Sequence, residues 1–141
     1  MEYKMLTTAE IPLMENLAIE GFRQFSSEDI TSFIDEPNTY GFVAKDNNTI
    51  VGLCYGYAMK RPDKADPMFY LHSLGVLESH QNQGIGTKLV EFVTNYAFEK
   101  LNCYECFLVT EKSNPQACRV YEKFGTKRWG DEIVYVIKKN A

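Results

Sequence analysis

Gly84 and Gly86 stand between an apolar, strand-like run, Leu71-His72-Ser73-Leu74-Gly75-Val76, and a helical pattern that opens beside them. A helix start carries free backbone N–H groups and a partial positive charge, so it suits an anion. Glycine there lets the anion come close to the backbone, because no Cβ intervenes. The stretch is read as a pyrophosphate cradle, with an ordinary strand-to-helix turn as the plainer alternative. It lacks the third glycine of a dinucleotide fingerprint, since Leu89 holds that place, and it lacks the Gly-Lys-Ser/Thr of a P-loop. His72 adds an imidazole, a side chain suited to accepting a proton near neutral pH. Period-two alternation puts Tyr70, His72, Leu74 and Val76 on one strand face. Cys103 and Cys106 are spaced as half a zinc site or a redox pair, but no second Cys pair follows, and His72 and His80 lie upstream. Buried free thiols, with no metal, are the expected state.

These groups need elements to hold them. Glu2 to Leu6 alternates as an edge strand. Thr8 is expected to cap a helix whose apolar positions run Ile11, Leu13, Met14, Leu17, Ala18 and Phe22. Ser26-Ser27-Glu28-Asp29 opens a second, short helix with Ile30, Phe33 and Ile34, ending by Pro37. Tyr40 to Lys45 and Thr49 to Met59 read as strands joined by an Asp46-Asn47-Asn48 hairpin turn. Lys60 to Pro67 is a loop, and Met68 to Val76 is the strand that delivers the glycine turn. From Gly84 to about Lys100, Ile85, Leu89, Val90, Phe92, Val93, Tyr96 and Ala97 form one apolar stripe. Cys103 to Thr110 reads as a strand. Ser113-Asn114-Pro115 opens a helix with Ala117, Val120, Tyr121 and Phe124 on one face, ending at Gly125. Lys127 to Trp129 and Ile133 to Ile137 read as a closing hairpin.

The 141 residues are enough for one domain, 1–141, with a real core. The apolar runs are too short to span a bilayer, and Met1-Glu2-Tyr3-Lys4-Met5 lacks the build of a secretory signal, so a cytoplasmic protein is expected. A net charge of −4 argues against nucleic-acid or anionic-membrane partners.

Gln81, Gly84 and Gly86 resemble the acyl-CoA signature Gln/Arg-x-x-Gly-x-Gly/Ala of the GNAT superfamily of N-acetyltransferases. Asn114-Pro115-Gln116-Ala117 with Tyr121 and Gly125 resembles that family's Asn-x-x-Ala…Tyr-x-x-x-Gly segment, and the element order matches from end to end. The resemblance implies an α/β (α+β) GNAT fold: a mixed, mostly antiparallel sheet of about six to seven strands with about four helices, and one parallel pair around the glycine turn. It implies acetyl-CoA as donor cosubstrate, its pyrophosphate on the N–H groups near Asn82, Gln83, Gly84, Ile85, Gly86 and Thr87. The pantetheine arm would lie along Leu74, Gly75 and Val76. Asn114 would hydrogen-bond that arm, or serve only as a helix cap. Tyr121 matches the general acid that protonates the departing thiolate, although a Tyr on this face also suits a core.

His72-x-Leu74-x-Val76 resembles the same strand in arylalkylamine N-acetyltransferases, where a histidine helps take the amine proton; Tyr70 stands where that group has a second histidine. Some aminoglycoside acetyltransferases have an acid where this chain has Ser73. A satisfied His in a half-buried strand is the competing reading of His72. Glu28, Asp29, Asp35 and Glu36 are candidates for the acceptor entrance, or a solvated helix face. The implied reaction is acetyl transfer to a primary amine of a small molecule, with homodimerisation common in the family. Polyamine, arylalkylamine, aminoglycoside, amino acid and peptide N-terminus stay open as acceptors, and so does a non-catalytic acyl-CoA-binding module.

Overall fold

A computed structural model describes residues 1–125 and 130–139. Strand β1 (Glu2–Met5) pairs antiparallel with β2 (Thr39–Asp46), β2 with β3 (Thr49–Met59), and β3 with β4 (Met68–Val76). A fifth strand, β5 (Cys106–Phe107), lies parallel to β4, so the sheet is mixed and its order follows the chain. Four helices accompany it: α1 (Ile11–Met14), α2 (Ser27–Asp35), α3 (Ile85–Glu99) and α4 (Pro115–Glu122). This is the α/β arrangement the sequence implies, with α3 leading from β4 to the parallel β5.

The strand number is a correction. Five strands are present among the described residues, against the expected six to seven. Cys103 to Thr110 pairs only at Cys106 and Phe107. Of the expected closing hairpin, Lys127 to Trp129 lies outside the described residues. Ile133 to Ile137 is not a strand, and its side chains are exposed, from 68% at Val134 to 96% at Ile137. Strand propensity alone does not make a strand, and no described strand pairs with this segment.

Two cores lie on opposite faces of the sheet. On one, Phe42, Ala44, Val51, Cys54, Phe69 and Leu71 meet the buried stripe of α3: Ile85, Leu89, Val90, Val93 and Ala97. On the other, Val43, Ile50 and Leu53 meet Leu6, Met14, Ile19 and Ile30. Asn47 turns the β2–β3 hairpin with φ 56°, which Asn tolerates better than most residues.

The first helix differs from expectation. Thr7, not Thr8, is the cap: its hydroxyl accepts from Ala9 N–H, and Glu10 reaches back to its N–H in a capping box. The helix ends at Met14, so Leu17 to Phe22 does not continue it. Apolar spacing suited a longer helix, but Ile19 and Phe22 instead lie on β4 at Gly75. A Cβ there would sit 2.4 Å from Ile19 Cγ2 and 3.0 Å from Phe22 Cε2, so glycine permits the contact.

Glu10 is 1% exposed. Lys4 Nζ donates to its Oε2 at 2.8 Å, Lys45 Nζ lies 3.5 Å from the same oxygen, and the Thr7 N–H and hydroxyl donate to Oε1 at 2.9 and 2.8 Å. Burial acts to raise this carboxyl, but the donors from Lys4 and Thr7 outweigh it and hold it down at about 2.

Candidate active site

The start of α3 is unlike those of α2 and α4. Ser26 caps α2 by accepting from Asp29 N–H at 3.1 Å, and Asn114 Oδ1 caps α4 by accepting from Ala117 N–H at 3.1 Å. At α3 the cap position is Gly84, with φ 82° and no side-chain bond to the helix N–H groups. Glycine takes that left-handed angle without strain, and a Cβ on it would meet nothing. Asn82 precedes it with φ 62°, and Asn82, Gln83 and Gly84 are exposed.

Side chains brace this turn from several sides. Gln81 Nε2 donates to the Val76 carbonyl at 3.1 Å, tying the turn to the end of β4. Gln116 Nε2, from the first turn of α4, donates to Asn82 Oδ1 at 3.0 Å. Lys123, just past α4, donates to Thr87 Oγ1 at 3.3 Å, which sets an ammonium beside the first turn of α3. Ile85 points into the core, so it can offer a ligand only its backbone. An uncapped helix start, open at glycine and flanked by a lysine, fits a phosphate-bearing group. Lys123 and Gln116 escape a reading of the turn alone, because their approach depends on how α4 docks.

Strand β4 carries a register shift that overturns one expectation. Tyr55 pairs with Ser73, yet the next residue, Gly56, pairs with Leu71, so His72 is the extra residue of a bulge. Alternation therefore slips at His72. Leu74 and Val76 pack on the α3 side with Phe69 and Leu71, while Tyr70 and His72 belong to the opposite face. The four do not share one face. Beyond Tyr70, β4 has no β5 partner among the described residues, so its edge from Leu71 to Val76 is open on that side. Gly75 faces Ile19 and Phe22, and Gly86 lies against Leu74 and Val76.

His72 is exposed. Its Nδ1 is 2.8 Å from Ser73 Oγ and 3.1 Å from the Tyr55 hydroxyl, and its ring stacks on Tyr55 at 5.2 Å and 15°. With both hydrogen bonds on Nδ1, a tautomer whose Nδ1–H donates to either hydroxyl leaves the Nε2 lone pair for a substrate proton. The cross-strand register that brings Tyr55 to Ser73 is the signal that finds these partners.

Tyr121 lies on the other face, packed with Val120 against the α3 core. Burial first, then nearby Cys54 and Cys118, pushes its phenol up to about 12. It is thus a protonated donor throughout the neutral range. Asn114 spends its carbonyl oxygen on the cap of α4. His80 pairs with Asp46 at 3.4 Å and with Ser79 at 2.8 Å, which turns it toward the β2–β3 hairpin. Glu28, Asp35 and Glu36 line a shallow groove with Ser27, Thr31 and Ser32, whereas α2 turns Ile30 and Phe33 inward. The four cysteines are free thiols, and burial drives Cys54 well above the ordinary range and Cys106 up to about 12. Among the described residues no cluster of three His, Cys, Asp or Glu is arranged to hold a metal, and no helix is long and apolar enough to cross a membrane.

Mixed sheet, bulged β4 and uncapped α3 start together describe an acyl-CoA-type transferase fold. Residues 11–126 match the model of the acetyltransferase (GNAT) family, and the chain belongs to that family. It is 33% identical over 46 residues to spermidine N(1)-acetyltransferase of Escherichia coli, covering 33% of this chain and 25% of that protein. It is 27% identical over 112 residues to N-acetyltransferase family 8 member 2 of Rattus norvegicus, covering 79% of this chain and 49% of that one. The chain thus spans a quarter to about half of the length of these relatives. Among solved structures, an aminoglycoside acetyltransferase from an uncultured soil metagenomic sample, in complex with trehalose, superposes with TM-score 0.78 at 25% identity, covering 97% of this chain and 96% of that one. An aminoglycoside N-acetyltransferase in complex with CoA has the same fold, with TM-score 0.73, 16% identity, and 98% and 99% of the two chains covered.

Proposed function

We propose that the chain, acting as one domain over residues 1–141, transfers an acetyl group from acetyl-CoA to a primary amine of a small molecule by direct attack. The observation that supports this reading is the open edge of β4 from Leu71 to Val76, a strand that carries the exposed His72 imidazole and leads to the uncapped, glycine-opened start of α3. When bound, acetyl-CoA supplies an acetyl thioester. The N–H groups of Asn82, Gln83, Gly84, Ile85, Gly86 and Thr87 hold its diphosphate, Gln81 fixes the turn, and Lys123 offsets charge. The open edge at Leu74, Gly75 and Val76 binds the amide arm, with Asn114 beside it, and a strand N–H there polarises the thioester carbonyl.

His72, directly or through a water, takes the proton from the amine nitrogen as the C–N bond forms. Tyr121 gives its proton to sulfur as the C–S bond breaks. The products are the N-acetyl amine and CoA thiol; His72 then loses its proton to water and Tyr121 regains one. A thiol-release screen of amines with acetyl-CoA tests the proposal. Turnover of at least one amine, together with a CoA-induced rise in melting temperature, is the expected result. CoA binding without turnover of any amine would instead make the chain an acyl-CoA-binding module.

A further inference from the structure

The face of the sheet that carries His72 also carries a continuous row of aromatic rings. Phe22 lies 5.9 Å from Tyr55, Tyr55 5.2 Å from His72 and 6.0 Å from Tyr57, and Tyr57 6.5 Å from Tyr70. Tyr70 stacks on Phe107 at 4.7 Å and 5°. A core would close over such rings, yet Tyr55, Tyr57, Tyr70 and Phe107 stay half-buried and His72 is exposed. The row ends at Tyr70 and Phe107, the last residues that pair β4 with β5. It therefore leads to the point where the sheet opens, with His72 beside it.

We propose that this aromatic row seats the acceptor, and that it selects an amine with one positive charge on a flat ring over a polycation. The inference rests on the acetyltransferase reading above and adds the class of acceptor. Ring faces offer apolar area and offset or edge-on stacking to a planar body. They also attract a single ammonium through their quadrupoles. A polycation needs a carboxylate for each charge it loses from water. The titratable groups in the row are phenols and one imidazole, and burial, then Tyr55 and Tyr70, raises the Tyr57 phenol further from ionisation. Helix α2 meets the row with the Phe33 ring, 5.6 Å from Tyr55, while Glu28, Asp35 and Glu36 line a separate groove.

The test compares 2-phenylethylamine, spermidine and kanamycin as acceptors for the full chain with acetyl-CoA. The expected kcat/KM for phenylethylamine exceeds that of the two polycations by about tenfold or more. Tyr70→Ala and Tyr57→Ala should each raise its KM by about tenfold while the KM for acetyl-CoA holds, and Tyr70→Phe should retain most of the affinity. Retained CoA-induced thermal stabilisation shows that the variants fold. A preference for spermidine or kanamycin overturns the inference but leaves the acetyltransferase reading intact, and so does an unchanged amine KM in both alanine variants. If no amine turns over, that reading fails, and calorimetry of phenylethylamine on the CoA-loaded protein decides the seat. Binding weakened about tenfold by Tyr70→Ala supports it, and absence of binding overturns it.

Discussion

The two faces of the sheet are built on different terms. The α3 face is closed: the stripe of α3 and the inward residues of β2, β3 and β4 exclude water, and Tyr121 sits at its edge with a phenol that burial keeps protonated. The opposite face is closed near β1 and open near β4. At its closed end Glu10 is buried among Lys4, Lys45 and Thr7; at its open end Tyr55, Tyr57, Tyr70 and His72 are left partly in water. One face holds the Tyr121 phenol and the start of α3 in place. The other gives up burial to leave rings and an imidazole accessible. The bulge at His72 divides the labour, because it returns Leu74 and Val76 to the closed face and leaves Tyr70 and His72 on the open one.

The contrast can be broken at four places. Tyr121→Phe, on the closed face, removes the proton donor but little volume; we expect kcat to fall by about 10³-fold with the KM for acetyl-CoA nearly unchanged. With the wild-type phenol at about 12, its proton is present at all lower pH, so this group should cause no alkaline loss of rate until pH approaches that value. An equal rate for Tyr121→Phe would leave the phenol as packing only.

Glu10→Gln probes the buried end of the open face. It leaves Lys4 and Lys45 without their carboxylate, and both are partly solvated, so the cost should be about 3 kcal/mol, read as a lower midpoint in urea. The sign with pH is fixed by the depressed carboxyl. Its contribution is complete above about pH 4.5 and is lost as pH falls toward about 2, so the gap between wild type and variant should narrow over that range. A gap that is constant with pH would show that the ion pairs contribute nothing.

His72→Ala tests the accessible end. Loss of the proton acceptor should lower kcat/KM for the amine by about 10²-fold, and an added imidazole should restore part of it. Gly84→Ala is expected to have the smallest effect. It places a Cβ at φ 82°, costing about 1 kcal/mol of stability, and puts that Cβ in the open space through which a phosphate would approach, which should raise the KM for acetyl-CoA by several-fold without changing that of the amine. If Gly84→Ala instead altered the amine KM alone, the roles given to the two faces would be exchanged.

Much of the site was legible before any fold was known, because its signals are local. Gly84 at the helix start, the apolar stripe of α3, the cap at Asn114 with Pro115 behind it, and the bounds of β3 and β4 follow from turn chemistry and periodicity within a few residues. The failures were of another kind. The stripe from Ile11 to Phe22 gave no sign that the helix would stop at Met14, since what stops it is the docking of Ile19 and Phe22 on Gly75. Which way the acids near α2 face depends on helix rotation, which the sequence leaves open: Glu28, Asp35 and Glu36 line one groove, whereas Phe33 turns toward Tyr55. Ile133 to Ile137 has the composition of a strand, and no described strand pairs with it.

By itself, then, the sequence determined the bounds of β3 and β4, the helix that opens at Gly84 and the cap at Asn114, since each of these depends on neighbours along the chain. Only the tertiary structure decided that His72 stands out in a bulge bonded to Ser73 and Tyr55, that Tyr121 is half-buried on the opposite face of the sheet, and that Lys123 reaches Thr87. Register and docking join residues far apart in the chain, and a one-residue slip, invisible to alternation, changes the face on which every later side chain lies.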